Sequence, residues 1–183
     1  MSKRAVIVVD LQNEYLPTGK LALVGIDQAV SNAARVIADA RAKGDLVVNI
    51  RHEFPNPDIP FFVPGTDGVE IIPTVSPAEG EAVIVKNHPN SFLKTDLKAL
   101  LDKNGIEETV VVGAMSHMCI DATARAASDF GYKTTVVHDA CATMDLEFGG
   151  QSVPAAQVHA SQMAALAFAY ASLASTDEYL AAR

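Results

Sequence analysis

The sequence predicts a doubly wound α/β domain, with a mostly parallel sheet of at least five strands and helices on both faces. Three observations predict it. Five largely apolar runs of strand length recur, at residues 5–9, 46–50, 82–85, 109–112 and 134–137; segments of helical periodicity alternate with them; and glycines or capping residues punctuate the joins. Runs that are largely apolar mark strands buried on both faces. Their alternation with helices implies right-handed crossovers between parallel neighbours.

The first run follows Lys3 and Arg4 and lasts only five residues before Asp10. It is a strand, not the apolar core of a signal peptide. Asp27 reads as the N-cap of a first helix, with Val30, Ala33, Ala34, Ile37 and Ala40 on one face and Gly44 closing it. The second strand leads into residues 51–81, which hold six of the nine prolines and no helical or alternating pattern. Ile59, Phe61, Phe62, Val63, Ile71 and Ile72 make this stretch too apolar for a disordered linker. A long ordered connection costs chain entropy that something must offset, so it reads as the wall of a pocket. Lys86 ends the third strand. Thr95 then opens a helix carrying Leu97, Leu100 and Leu101 and closed by Gly105. After the fourth strand, the turn GAMSHM leads to a third helix over residues 120–130, stopped by Gly131. The fifth strand precedes an Ala-rich helix over about residues 154–172, and Ser175 and Glu178 have capping-box spacing for a last turn.

Composition narrows the function. At 183 residues, 49% of them hydrophobic, the chain suits one domain spanning 1–183. Fourteen Lys+Arg against twenty-two Asp+Glu give a net charge of −8 with no basic cluster, which argues against nucleic acid. The apolar segment at residues 164–174 is well short of a membrane span. With two cysteines and no export signal, Cys119 and Cys141 are expected as free thiols in a reducing cytoplasm.

In open α/β sheets ligands bind beyond the carboxyl ends of the strands. Three residues stand there: Asp10 after the first strand, Lys86 at the end of the third, and Cys119 past the fourth. Singly, they could be a turn cap, a solvated charge and a packed thiol. As a set they are an acid/base, a cation and a nucleophile.

The stretches VVDLQNEY, GTDGVEIIP, VIVKNHPNSF, VVGAMSHMCIDATARAASDFGY and VVHDACAT together resemble the isochorismatase-like cysteine hydrolases, a superfamily with nicotinamidases, N-carbamoylsarcosine amidohydrolases and biuret hydrolases among its members. The resemblance spans nearly the whole chain. It implies the isochorismatase-like hydrolase fold, catalytic roles for Asp10, Lys86 and Cys119, and oxyanion donors in the backbone N–H groups of Met115 and Cys119. It further implies a cis peptide between Ala114 and Met115, homo-oligomers (dimer or tetramer), and hydrolysis of a small amide or related C–N bond through an acyl-enzyme, with no cofactor. The chemistry suits these roles. A free thiol has a pKa near 8.5, so Cys119 needs activation. A helix start aims N–H groups at the sulfur and favours the thiolate, Asp10 can take the proton, and Lys86 can hold the charges in place.

Nicotinamidases hold a metal through an Asp-x-His pair after the second strand. Here NIRHEFPNPDI has Arg51 where an acidic ligand would stand, and His52, Asp58 and His88 form the remaining candidate cluster, at irregular spacing; no metal is expected. Isochorismatases proper cleave an enol ether and need no thiol, so retention of Cys119 points to acyl chemistry. An isochorismatase-type reaction or a non-catalytic scaffold role stays open. A redox-sensing thiol would lack a resolving cysteine nearby in sequence. Gln12, Tyr15, Phe61, Phe62 and Met118 are expected to bind a small, partly apolar substrate group. His117 reads as structural, Cys141 as packed, and Arg51 or Lys86 as the groups that would steer an anionic substrate.

Overall fold

A computed structural model describes residues 3–56 and 58–183, so Met1, Ser2 and Pro57, the last within the proline-rich connection, lie outside the described residues. The five apolar runs become β1 (Arg4–Val9), β2 (Leu46–His52), β3 (Ala82–Lys86), β4 (Glu108–Ala114) and β5 (Lys133–Ala142). A short hairpin follows, β6 (Leu146–Phe148) and β7 (Gln151–Val153), and a three-residue strand, β8 (Ser172–Ala174), comes late in the chain. The main sheet has six strands in the order β3-β2-β1-β4-β5-β8, and every pairing is parallel. The helices are α1 (Ile26–Lys43), α2 (Leu97–Lys103), α3 (Asp121–Asp129), α4 (Ala155–Ala169) and α5 (Thr176–Ala181).

Because successive side chains of a strand point to opposite faces, β1 feeds two cores. Val6 and Val8 pack with Ala33, Val36 and Ile37 of α1; Ala5, Ile7 and Val9 pack with Leu97, Leu101, Ala124 and Leu166 from α2, α3 and α4. Both faces of the sheet are covered, as the largely apolar runs require. Ser175 and Glu178 form the expected capping box: the Ser175 hydroxyl accepts from the Glu178 N–H at 3.2 Å and the Glu178 carboxylate accepts from the Ser175 N–H at 2.8 Å. Among the described residues no helix is long and apolar enough to cross a membrane.

Several boundaries differ from the sequence reading. Asp27 lies in the first turn of α1, and Gly25, in the left-handed conformation at φ 72°, takes the N-cap place. Thr95 stands ahead of α2, whose N-cap is Asp96. The third helix begins early: a wide π-type turn, Ser116–Ile120, contains Cys119 and runs directly into α3. The Ala-rich helix stops at Ala169, and the chain then adds β8 beside β5, pairing Thr135 with Ser172. An apolar Ala-rich stretch has no period that separates a helix end from a three-residue strand. The hairpin turns through Gly149 and Gly150 at φ 60° and 76°, the positive values a two-residue hairpin turn demands.

Gly113 fixes where β4 ends. It sits at φ 129° beside Val9, at an irregularity in the ladder to β5, and a Cβ there would lie 1.9 Å from the Val9 carbonyl oxygen. Gly113→Ala is therefore expected to cost on the order of 3 kcal/mol through overpacking and backbone strain, read as a lower urea midpoint for unfolding.

Candidate active site

The strand order sets the problem that the site solves. Asp10 follows β1 and Lys86 ends β3, but β2 lies between them, so the two backbones are separated by roughly 10 Å, twice the spacing of neighbouring strands. Only a long side chain can cross that gap, and Lys86 does so over the end of β2, where its register partner is His52. Its Nζ stands 2.7 Å from Asp10 Oδ2, 2.8 Å from His52 Nδ1 and 3.2 Å from Cys119 Sγ. An ammonium has three N–H donors, and each has one acceptor here. The Asp10 and Lys86 side chains are wholly buried, and His52 and Cys119 are nearly so. Asp10 holds φ 53°, with its N–H donating to the Ile50 carbonyl at 3.1 Å.

Burial dominates the electrostatics. It raises the Asp10 carboxyl above its ordinary range, although the Lys86 charge and the hydrogen bonds of Lys86 and Cys119 pull it back. Burial draws Lys86 down, but the neighbouring Asp10 and Cys119 outweigh it and hold the ammonium above its usual value. The Cys119 thiol is pushed well up by burial and then by Asp10, against the opposing effect of Lys86. Burial thus opposes the thiolate that a helix start alone would favour. His52 is driven from 6.5 down to about 3 by burial, Lys86 and His88, so it is neutral. Since its Nδ1 accepts from Lys86, the ring proton is assigned to Nε2, which has no partner among the described residues. Apart from its contacts with Lys86 and Cys119, neither carboxylate oxygen of Asp10 has a hydrogen-bond partner among the described residues.

The turn that carries Cys119 is held from both sides. The peptide between Ala114 and Met115 is cis, and the Met115 carbonyl accepts from the N–H groups of Met118 and Ile120 at 3.0 and 3.2 Å. Ser116 Oγ lies 2.8 Å from His159 Nδ1 on α4, and His117 Nδ1 lies 2.6 Å from Thr143 Oγ1. His117 thus serves the turn, as the sequence suggested, and burial lowers its basicity.

Above the thiol lies a cavity of about 290 Å³. Tyr15, Phe54, Phe61 and Phe62 form an aromatic wall, and Met115, Met118 and Met144 line it with thioethers. Tyr15, Phe61, Phe62 and Met118 are thus placed at the cavity. Gln12 is not: fully buried, it donates from Nε2 to the carbonyls of His52 and Val69 at 2.9 and 2.8 Å and accepts from the His52 N–H at 2.8 Å, so its amide is spent on backbone. Glu14 works alongside it, accepting from the Lys20 and Phe62 N–H groups at 2.9 and 2.8 Å. Phe54, Met144, Glu14 and the contact of His52 with Lys86 were not anticipated. The run of Phe54, Phe61 and Phe62 was the available signal for the wall; nothing local signalled the rest.

Among the described residues, the metal-type donors that come within 4.8 Å of one another are those of Asp10, His52 and Cys119, not His52, Asp58 and His88. The Lys86 ammonium already stands among them. Arg51 is bound to Glu53 at 2.7 Å with Glu70 at 3.9 Å, and Lys86 is enclosed, so neither is placed to steer an anion.

Fold and site together define a class: a doubly wound α/β protein with a carboxylate, an ammonium and a thiol clustered beneath an apolar cavity at the carboxyl edge of its sheet. Residues 4–174 match the family model described as the isochorismatase domain, and the chain belongs to the isochorismatase family, a family of hydrolases that includes amidohydrolases. It is 47% identical over 176 residues to the uncharacterized isochorismatase family protein YddQ of Bacillus subtilis, covering 96% of this chain and 98% of that one. A crystal structure of an isochorismatase-type hydrolase from Oleispira antarctica superposes with a TM-score of 0.94 at 52% identity, over 97% of this chain and 96% of the other. The maleamate amidohydrolase of Pseudomonas putida is 32% identical over 151 residues, 75% of this chain and 71% of its own length.

Two outcomes are expected. Lys86→Met strands the Asp10 carboxylate in a dry site and is expected to lose about 3 kcal/mol at neutral pH, much of it restored when Asp10→Asn is added, both read by urea unfolding. As pH falls below 6.5, unfolded His52 takes up a proton that folded His52 refuses until about pH 3, so folding loses up to about 1.4 kcal/mol per pH unit across that window. His52→Asn keeps an acceptor for Lys86 without titrating, and its stability is expected to fall less steeply with acid than that of the unsubstituted protein.

Proposed function

We propose that this chain is a cysteine-dependent amidohydrolase acting on a small amide or related C–N bond. The observation that carries the reading is the single Lys86 ammonium in contact with both the Asp10 carboxylate and the Cys119 sulfur, at 2.7 and 3.2 Å. That ammonium needs one negative charge beside it, and either partner can supply it. Moving the proton from Cys119 to Asp10 therefore leaves the net charge of the buried cluster unchanged, which is how a thiol with a raised pKa can still be a nucleophile.

The thiolate attacks the carbonyl carbon to form a C–S bond, and the carbonyl electron pair moves onto oxygen, toward the N–H groups of Met115 and Cys119. Protonated Asp10 then gives its proton to the leaving nitrogen as the C–N bond breaks, releasing ammonia or an amine and leaving a thioester. Asp10, again a carboxylate, takes a proton from water while the remaining hydroxide adds to the thioester; the C–S bond breaks, the acid departs, and the sulfur recovers its proton. Family membership and similarity to an enzyme named for amide hydrolysis support the reading.

The test is ammonia release from a panel of small amides, ureas and carbamoyl compounds. Cys119→Ala is expected to reduce release at least about 1,000-fold, and Asp10→Asn, which keeps the shape but cannot take a proton, about 100-fold or more, with folding of both verified by thermal melts. Undiminished release in Cys119→Ala would refute the thiol mechanism.

A further inference from the structure

The cavity above Cys119 recognises by what it omits. We propose that it takes an uncharged substrate whose acyl group is compact and apolar, and that it rejects substrates carrying a carboxylate. This deepens the amidohydrolase reading and rests on it.

Three observations support the inference. First, none of the side chains lining the cavity bears a charge: the aromatic wall and the methionines are apolar, and His52 is neutral with a pKa near 3. Second, no Lys or Arg is among the residues lining the cavity, and three nearby cations already have partners. The Lys86 ammonium is enclosed by three acceptors, Arg51 is bound to Glu53 and Glu70, and Lys20 Nζ donates to the Pro60 carbonyl at 2.6 Å. A substrate carboxylate seated against this apolar lining would lose part of its hydration and find no cation among the lining residues, which makes burying its charge costly. Third, the Asp10, Lys86 and Cys119 cluster is neutral as a unit, so it supplies no net field to draw an anion in. The polar group left for a substrate at the cavity wall is short-range and suits a neutral amide: the donor His52 Nε2–H. At about 290 Å³ the cavity lies at the small end of the range for ligand pockets, which suits a compact acyl group. Maleamate, the substrate named for the Pseudomonas relative, bears a carboxylate, so the proposal separates this chain from that relative by charge.

The test uses a pair of thiol reagents of nearly identical size, iodoacetamide and iodoacetate, and reads alkylation of Cys119 by mass spectrometry of its peptide at 0.15 M salt, where long-range repulsion from the acidic protein is screened. Relative to the same ratio for glutathione, Cys119 is expected to favour iodoacetamide by at least tenfold. Met118 lines the cavity and is 41% exposed, so a charge can be placed there without opening the core. Met118→Arg is expected to raise the iodoacetate rate and narrow the preference. Equal or faster alkylation by iodoacetate in the unsubstituted protein would overturn the proposal, as would a Met118→Arg variant that keeps its iodoacetamide rate yet gains nothing with iodoacetate. Neither reading requires turnover, so an inactive amide panel would count against the amidohydrolase reading alone. On that panel, butyramide is expected to be hydrolysed at least tenfold faster than succinamate, and the reverse order would also overturn the charge selection.

Discussion

A lysine ammonium with no exposure to water has to be neutralised, and most of the site follows from how Lys86 achieves this. Its charge is compensated by one proton vacancy that Asp10 and Cys119 share, and its third N–H is absorbed by a histidine kept uncharged by the same burial. The raised pKa values of the carboxyl and the thiol are two views of that one constraint. In water the arrangement would be unremarkable and weak. In a buried floor it ties the protonation of the carboxyl to that of the thiol, because the cluster tolerates one negative charge and not two.

The sheet makes that cluster possible. Parallel strands deliver all their carboxyl ends to one edge, and the order β3-β2-β1-β4 places the donor of the cation two strands from the carboxylate and the thiol on the far side of both. Lys86 is long enough to bridge the gap only by passing over β2, so whatever ends β2 must be an acceptor. On the other flank, Gly113 lets β4 run tight against Val9 before the chain turns into the segment that carries Cys119.

Much of this was legible in the sequence, for stated reasons. The five buried strands appear as largely apolar runs, and the rule that ligands gather at strand ends singles out Asp10, Lys86 and Cys119 with no knowledge of the strand order. What stayed hidden depended on that order or on burial. The position of His52 against Lys86 follows from β2 lying between β1 and β3, which no local pattern records. Gln12 looked like a pocket residue because it follows Asp10, yet its amide is turned inward onto backbone. A helix start would lower the pKa of an exposed thiol; here burial pushes the Cys119 thiol the other way. β8 escaped because three residues within an Ala-rich segment carry no period of their own.

Gln12 and Glu14 grip the neighbouring segments by their main chain: the carbonyls of His52 and Val69, and the N–H groups of Lys20 and Phe62. Such a grip is indifferent to side-chain identity. The frame of the cavity can therefore persist while the residues it displays are exchanged, and the charged floor, built from strand ends, need not change with them. A lineage with this layout can shift its diet through substitutions at a few loop positions, and a laboratory library confined to those same positions would sample new specificities with little loss of foldable variants.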